Sequence, residues 1–170
     1  NLGFMYRNGF GAPQDEVEAV RWWRLAAELG HADAQSNLGF MYRNGFGIPQ
    51  DETEAVRWFR LAAEHGHADA QSNLGFMYRN GFGIPQDEAE AVRWFRLAAE
   101  HGHADAQSNL GFMYRNGLGA TEDEAEAVRW FQLAAEQGHA EAQSNLGFMY
   151  RNGFGAPQNE AEAVRWFRLA

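Results

Sequence analysis

Residues 37–72 read NLGFMYRNGFGIPQDETEAVRWFRLAAEHGHADAQS, and at Asn73 the string starts again with a single change, Ala89 in place of Thr53. Its opening NLGFMYRNG also begins at Asn1, Asn109 and Asn145, so every step is 36 residues, without insertion or deletion. Ten of the 36 positions vary among the copies: those of Phe10, Ala12, Pro13, Gln14, Asp15, Val17, Trp23, Arg24, Leu29 and Asp33. The rest are identical wherever present. A unit of this length is one supersecondary element that cannot bury its own apolar face and must stack on its neighbours. Glycine, with 19 residues against 4 prolines, punctuates the unit at Gly39, Gly45, Gly47 and Gly66 and at their equivalents.

Within the copy, Ala34, Leu38, Met41 and Tyr42 fall at i, i+4, i+7 and i+8, which predicts an amphipathic helix A over Ala32–Asn44. Gly45 stands where a left-handed C-cap belongs, Phe46 where that motif wants an apolar contact back onto the helix, and Pro49 blocks continuation. Asp51 with Glu54 three residues on is a capping-box signature, repeated at Asp15/Glu18, Asp87/Glu90, Asp123/Glu126 and Asn159/Glu162. Ala55, Trp58, Phe59 and Ala62 then trace the apolar stripe of a helix B, which Gly66 ends. His67 precedes the next helix A at its N-cap position. Nothing reads as a strand. The expected fold is an all-α solenoid of helix-turn-helix units, about five repeats in a single array over residues 1–170, with the first helix A and last helix B incomplete.

Composition narrows the function. The chain is 45% hydrophobic, enough for a core, and no run approaches the roughly 18 apolar residues of a membrane helix. Cysteine is absent, which excludes disulfides, thiolate zinc sites and thiol nucleophiles. A formal charge of -9, with arginine the only strong base, speaks against nucleic-acid binding.

The unit resembles the Sel1-like repeat, a short relative of the tetratricopeptide repeat. The residues that carry the likeness in the second copy are Ala34-Gln35, Leu38-Gly39, Met41-Tyr42, Gly45 and Gly47, Asp51, Ala55, Trp58-Phe59 and Ala62-Ala63 with Gly66. The resemblance covers the whole chain. It implies a right-handed superhelix of antiparallel helix pairs, A helices on the concave side, and adaptor work in place of catalysis. Two departures stand out. Leu25, Leu61, Leu97, Leu133 and Leu169 occupy a place the family commonly gives to lysine, which makes the outer helix more apolar. The cysteine-bridged branch of the family is excluded.

The polar residues support no enzyme. Serine occurs only at Ser36, Ser72, Ser108 and Ser144, one repeat apart, so a catalytic triad would have to be assembled from equivalent helix-surface positions. The Gly-x-Gly of Gly45 and Gly47 follows a helix and lacks the third glycine of a dinucleotide fingerprint. His65/His67 and His101/His103 have H-x-H spacing, but Leu29 and Gln137 break the pattern in other copies, and capping of helix A accounts for His31, His67, His103 and His139. No metal or cofactor is expected. The acidic first turn of helix B complements its dipole, and Arg60 with Glu64 is spaced for an i, i+4 pair. Trp22, Trp58, Trp94, Trp130 and Trp166 are expected in the core.

One face resists a purely structural account. Asp33, Asn37, Phe40 and Asn44 line the side of helix A away from its stripe, with Ser36 and Arg43 beside them. Asparagine can bond both groups of a peptide backbone, phenylalanine supplies apolar contact, and arginine can hold a carboxylate. The candidate peptide-binding residues are Asn37, Phe40, Arg43 and Asn44, then Asn73, Phe76, Arg79 and Asn80, then Asn109, Phe112, Arg115 and Asn116. The competing reading packs Phe40 between adjacent A helices and leaves Asn37 simply solvated. The expected function is a scaffold that binds a protein or peptide along the A-helix face. The alternative is a structural subunit docked through the leucine-bearing outer face or through uncapped ends, end to end or on a larger complex, membrane complexes included. Localisation stays open.

Overall fold

The structure, a computed structural model, describes residues 2–170. Among them it has ten helices and no strand: α1 (Leu2–Asn8), α2 (Glu16–Glu28), α3 (Ala32–Asn44), α4 (Glu52–Glu64), α5 (Ala68–Asn80), α6 (Glu88–Glu100), α7 (Ala104–Asn116), α8 (Glu124–Glu136), α9 (Ala140–Asn152) and α10 (Glu160–Phe167). They form two compact bodies, the first ending at Gln86 with α1–α5 and the second starting at Asp87 with α6–α10. In both, A helices (α3, α5; α7, α9) alternate with B helices (α2, α4; α6, α8).

Local chemistry sets the helix ends. Gly45 takes φ 71° and ψ 28°, a left-handed conformation in which a side chain would clash with its own backbone, and closes α3. The Phe46 N–H reaches back to the Met41 carbonyl at 3.1 Å, and the Phe46 ring returns to Phe40 with centroids 5.9 Å apart. Asp51 caps α4 by accepting the Glu54 N–H at 3.0 Å. The second arm of the expected capping box is not made. The Asp51 N–H goes to the Tyr42 carbonyl at 3.0 Å, closing the turn, and the Glu54 carboxylate pairs with Arg57 at 3.1 Å. At the end of α4, the His67 N–H bonds Ala62 and the Gly66 N–H bonds Ala63, a Schellman motif. His67 then caps α5, its Nδ1 accepting the Ala70 N–H at 3.3 Å; His31 sits at the same place on α3 without a side-chain cap bond.

The apolar stripes meet as the spacing requires. In the first body, Ala19, Val20, Trp23, Ala27, Ala34, Leu38, Met41 and Trp58 form one buried cluster. In the second, Phe131, Leu146, Met149 and Trp166 anchor the corresponding one. Each of the larger side chains contributes about 1.5–3 kcal/mol through burial. Trp58, Trp94, Trp130 and Trp166 are buried as expected, but Trp22 is only half-buried. The first copy uses Trp23 for the deep position that Phe59, Phe95 and Phe131 fill elsewhere.

Two glycines per copy set how closely elements approach. A Cβ on Gly39 would lie 2.8 Å from Phe59 Cδ1, so α3 and α4 touch through that glycine. Gly47, at φ 65°, packs against the Glu16 carbonyl of α2 with no room for a Cβ; Gly83 does the same against Glu52, and in the second body Gly119 against Glu88 and Gly155 against Glu124. The Gly-x-Gly turn is therefore where one copy seats on the one before it. No helix among the described residues is long and apolar enough to cross a membrane.

Candidate partner-binding surfaces

The candidate residues on the A helices lie together within each body, and they are bonded to one another. In the first, the Arg7 guanidinium lies over the Phe40 ring and that of Arg43 over Phe76, each 4.7 Å from the centroid. Arg43 Nη1 also donates to Asn73 Oδ1 at 2.6 Å, so α3 and α5 are tied by one arginine holding an amide and an aromatic face. The second body repeats the tie: Arg115 Nη1 donates to Asn145 Oδ1 at 2.9 Å and lies 5.8 Å from the Phe148 centroid. Arg79 lies 5.5 Å from the Phe76 centroid of its own helix, and Arg115 likewise 5.6 Å from Phe112. Partial burial lowers the Arg43 pKa from its ordinary value, with the Glu52 carboxylate opposing the shift; a guanidinium still stays charged at neutral pH.

The asparagines fall into two groups. Asn37, Asn73 and Asn109 donate to the carbonyls of Asp33, Asp69 and Asp105 one turn back, at 2.7, 2.8 and 2.8 Å, and are half-buried. Asn44, Asn80 and Asn116 donate to Phe40, Phe76 and Phe112 at 2.8, 2.7 and 2.7 Å but are exposed at the helix C-termini. These last three present an exposed amide oriented by its bond to the helix. Beside two of them sit tilted phenylalanine pairs, Phe40/Phe46 and Phe76/Phe82, at 5.9 and 5.8 Å. Their outer members remain accessible, Phe46 at 38% and Phe82 at 39%. Ser36, expected beside this face, is buried instead.

On the B-helix side each body carries open grooves where a B helix meets the next copy's Gly-x-Gly turn. Two are in the first body, about 500 Å³ beside α2 and 490 Å³ beside α4; one in the second, beside α6, has 440 Å³. The outer leucines lie here. Leu25 is 48% exposed, and Leu61 and Leu97 are half-buried.

The remaining polar residues are engaged in structure. His65 Nδ1 meets the Leu61 carbonyl at 2.7 Å, while His67 Nε2 reaches Asp33 Oδ1 at 3.3 Å, so the two rings of the H-x-H pair serve different elements. Because Nδ1 of His67 accepts the cap bond, Nε2 carries the proton it donates to Asp33. No group of three or more His, Asp or Glu residues that could hold a metal occurs among the described residues. Arg60 does not turn to Glu64: it donates to the Tyr78 hydroxyl at 3.2 Å, as Arg24 does to Tyr42 at 2.9 Å. A phenol in the next copy offers a fixed acceptor that a mobile glutamate on the same helix does not. Gln132, at the equivalent place in α8, keeps the local bond, to Glu136 at 2.9 Å. One structural role escaped the sequence. Gln35, Gln71, Gln107 and Gln143, all buried, donate to the carbonyls of Ala27, Ala63, Ala99 and Ala135 at 3.0–3.2 Å and so join each A helix to the end of the preceding B helix. An invariant polar residue adjoining the Ala34 stripe was the available signal.

Comparison with known proteins agrees with this architecture. The Sel1 repeat family model matches residues 1–31, 32–67, 68–103, 104–139 and 140–170. A protective antigen of uropathogenic Escherichia coli displaying an SLR fold is similar at 39% identity and a TM-score of 0.94, over 99% of this chain and 36% of that one. A Sel1 repeat protein from Oxalobacter formigenes is similar at 38% identity and a TM-score of 0.93, over 99% of this chain and 67% of that one. An immunity protein from Pseudomonas aeruginosa follows at 25% identity and a TM-score of 0.57, over 89% and 55%. The chain thus spans about a third of the first relative and two thirds of the second. No curated protein matches it. Sel1-repeat proteins are generally non-catalytic scaffolds that mediate protein–protein interaction. Five contiguous family matches over a fold of paired helices establish that the chain belongs to the Sel1 repeat family.

Proposed function

We propose that this chain is a non-enzymatic scaffold that holds an extended segment of a partner protein on its A-helix face. In the first body the contact residues are Asn37, Phe40, Arg43, Asn44, Asn73, Phe76, Arg79 and Asn80; in the second they are Asn109, Phe112, Arg115 and Asn116. The observation that supports this reading is the exposed amide beside each phenylalanine pair, Asn44 by Phe40/Phe46 and Asn80 by Phe76/Phe82. An amide aligned next to an aromatic face suits a main chain with an apolar side chain, whatever its sequence. Every polar group here is one of several equivalents, which suits repeated contacts and supplies no unique catalytic constellation.

The test is affinity recovery of partners, quantified by mass spectrometry, with the unmodified chain and with a Phe40→Ala/Phe76→Ala/Phe112→Ala variant checked for helicity. Recovery of specific partners should fall in the variant, and unchanged partners with an intact fold would sink the proposal. Assembly through the outer face is the second reading, favoured by the exposure of Leu25 and of Leu133, the latter 38% exposed. Mass that rises with concentration in sedimentation, and stops rising when those leucines become glutamate, would support it.

A further inference from the structure

The B-side grooves recur with the same layout in successive copies, and their chemistry differs from that of the A-helix face. In the groove beside α4 the floor is Val56, Leu61, Ile84 and Pro85. Arg57 and Arg60 stand on one rim and Glu64 at one end. The groove beside α2 is lined by Val20, Leu25, Ile48 and Pro49 with Arg21, Arg24 and the Glu28 carboxylate, and the one beside α6 by Val92, Leu97 and Ala120 with Arg93 and Arg96. In a chain of net charge -9, each of these grooves brings two arginines over an apolar floor.

Those arginines are held but not used up. Arg57 pairs with Glu54 at 3.1 Å while its side chain stays 59% exposed, a solvated pair easily exchanged for another carboxylate. Arg60 spends one of its five N–H groups on the Tyr78 hydroxyl, which fixes it at the rim with donors to spare. The grooves are open to solvent, which suits a side chain entering from an extended segment.

We propose that these B-side grooves are a second docking surface, whose occupant is an extended acidic segment: an apolar side chain seated on the shared valine and leucine, joined by isoleucine and proline in the first two grooves and by Ala120 in the third, with flanking carboxylates on the arginine pair. The charge of the rim selects for acidic partners and the floor for leucine-like side chains. The fourth copy carries an internal contrast, since Gln132 stands where the other copies have Arg24, Arg60 and Arg96. That substitution is therefore compatible with the fold.

The probe is a short fluorescein-labelled peptide in which glutamate alternates with leucine around a central proline, titrated with the full chain and read by fluorescence anisotropy. Binding is expected, weakening as salt rises. It should fall about tenfold with Arg60→Gln/Arg96→Gln, which removes two of the rim cations. It should fall at least as far with Leu61→Glu/Leu97→Glu, and stay unchanged in the Phe40→Ala/Phe76→Ala/Phe112→Ala variant. The last comparison separates this surface from the A-helix face. Four results overturn the proposal: no binding of the acidic peptide, equal binding of its lysine counterpart, insensitivity to both groove variants with helicity intact, or loss of binding in the phenylalanine variant. Sedimentation showing self-association that Leu61→Glu/Leu97→Glu abolishes would also overturn it, by assigning the groove to a second copy of the chain.

Discussion

Replacing Gly47 by alanine tests whether the Gly-x-Gly turn is the seat of one copy on the next. At Gly47 φ is 65°, and the space a Cβ would need is filled by the Glu16 main-chain carbonyl of α2. At Gly66 φ is 82°, equally left-handed, with nothing within 4 Å. Both substitutions cost about 1–2 kcal/mol for placing an L side chain in that conformation. Only Gly47→Ala adds a steric term. Its clash is with backbone inside a hydrogen-bonded helix, so relief requires the turn to move away from α2, an overpacking cost of about 1–3 kcal/mol. The expected losses are about 1–2 kcal/mol for Gly66→Ala and about 2–5 kcal/mol for Gly47→Ala. For a chain of this length 1 kcal/mol moves Tm by about 2–4 °C, so Gly47→Ala should melt at least about 2 °C below Gly66→Ala. Gly83→Ala, which meets the Glu52 carbonyl, should behave like Gly47→Ala. The assay is thermal unfolding by circular dichroism at matched concentration. Midpoints are the quantity to compare, since repeat arrays depart from two-state unfolding. Equal midpoints for Gly47→Ala and Gly66→Ala would refute the seating argument.

Three further perturbations probe other joints. Gly39→Ala gains about 1 kcal/mol of helix propensity but drives a Cβ to 2.8 Å from a fully buried Phe59 ring. Packing should win by about 1 kcal/mol, and urea unfolding that shows stabilisation would contradict the close helix contact. His67→Ala removes the α5 cap and should cost about 1 kcal/mol, whereas His67→Asn, a good capping residue, should recover most of it. Equal urea midpoints for the two histidine variants would show that the cap is not the source of the loss. A double-mutant cycle on Arg60→Gln and Tyr78→Phe should return a coupling of about 0.5–1.5 kcal/mol, and zero coupling would remove the arginine–tyrosine bond from the account.

The helices were legible because their signals are local. The Ala34/Leu38/Met41 spacing, the left-handed glycine after Asn44 and the aspartate before Glu52 each act within one or two turns, and helix A runs over Ala32–Asn44 as read. What spacing could not show is how a side chain divides itself between its own helix and the next copy. Arg60 was expected to pair with Glu64 four residues away and instead reaches Tyr78, in the next copy. Glu54 was expected to complete a capping box, but the Tyr42 carbonyl took the donor that the box needs. Gln35 stood in the repeat pattern without a role until the end of α2 was placed against it. Such contacts depend on how copies stack, and a hydrophobic period carries no information on that.

On the A-helix face, invariance among copies has a structural source that bears on the proposed binding. Arg43 is constant because it ties α3 to α5 through Asn73 and Phe76, a sufficient reason without any partner. Yet that tie also prepares the face for binding. A free arginine would lose rotamer freedom on meeting a carboxylate, about 0.5–1.5 kcal/mol, whereas Arg43 is already immobilised and its planar fork has further N–H groups to offer. Asn44, an exposed residue, is fixed by the Phe40 carbonyl of its own helix. One bond between copies and one within α3 thus hold the proposed contact residues rigid. If the A-helix face binds as proposed, a variant that loosens the joint between α3 and α5 should weaken a partner even where it leaves every direct contact in place.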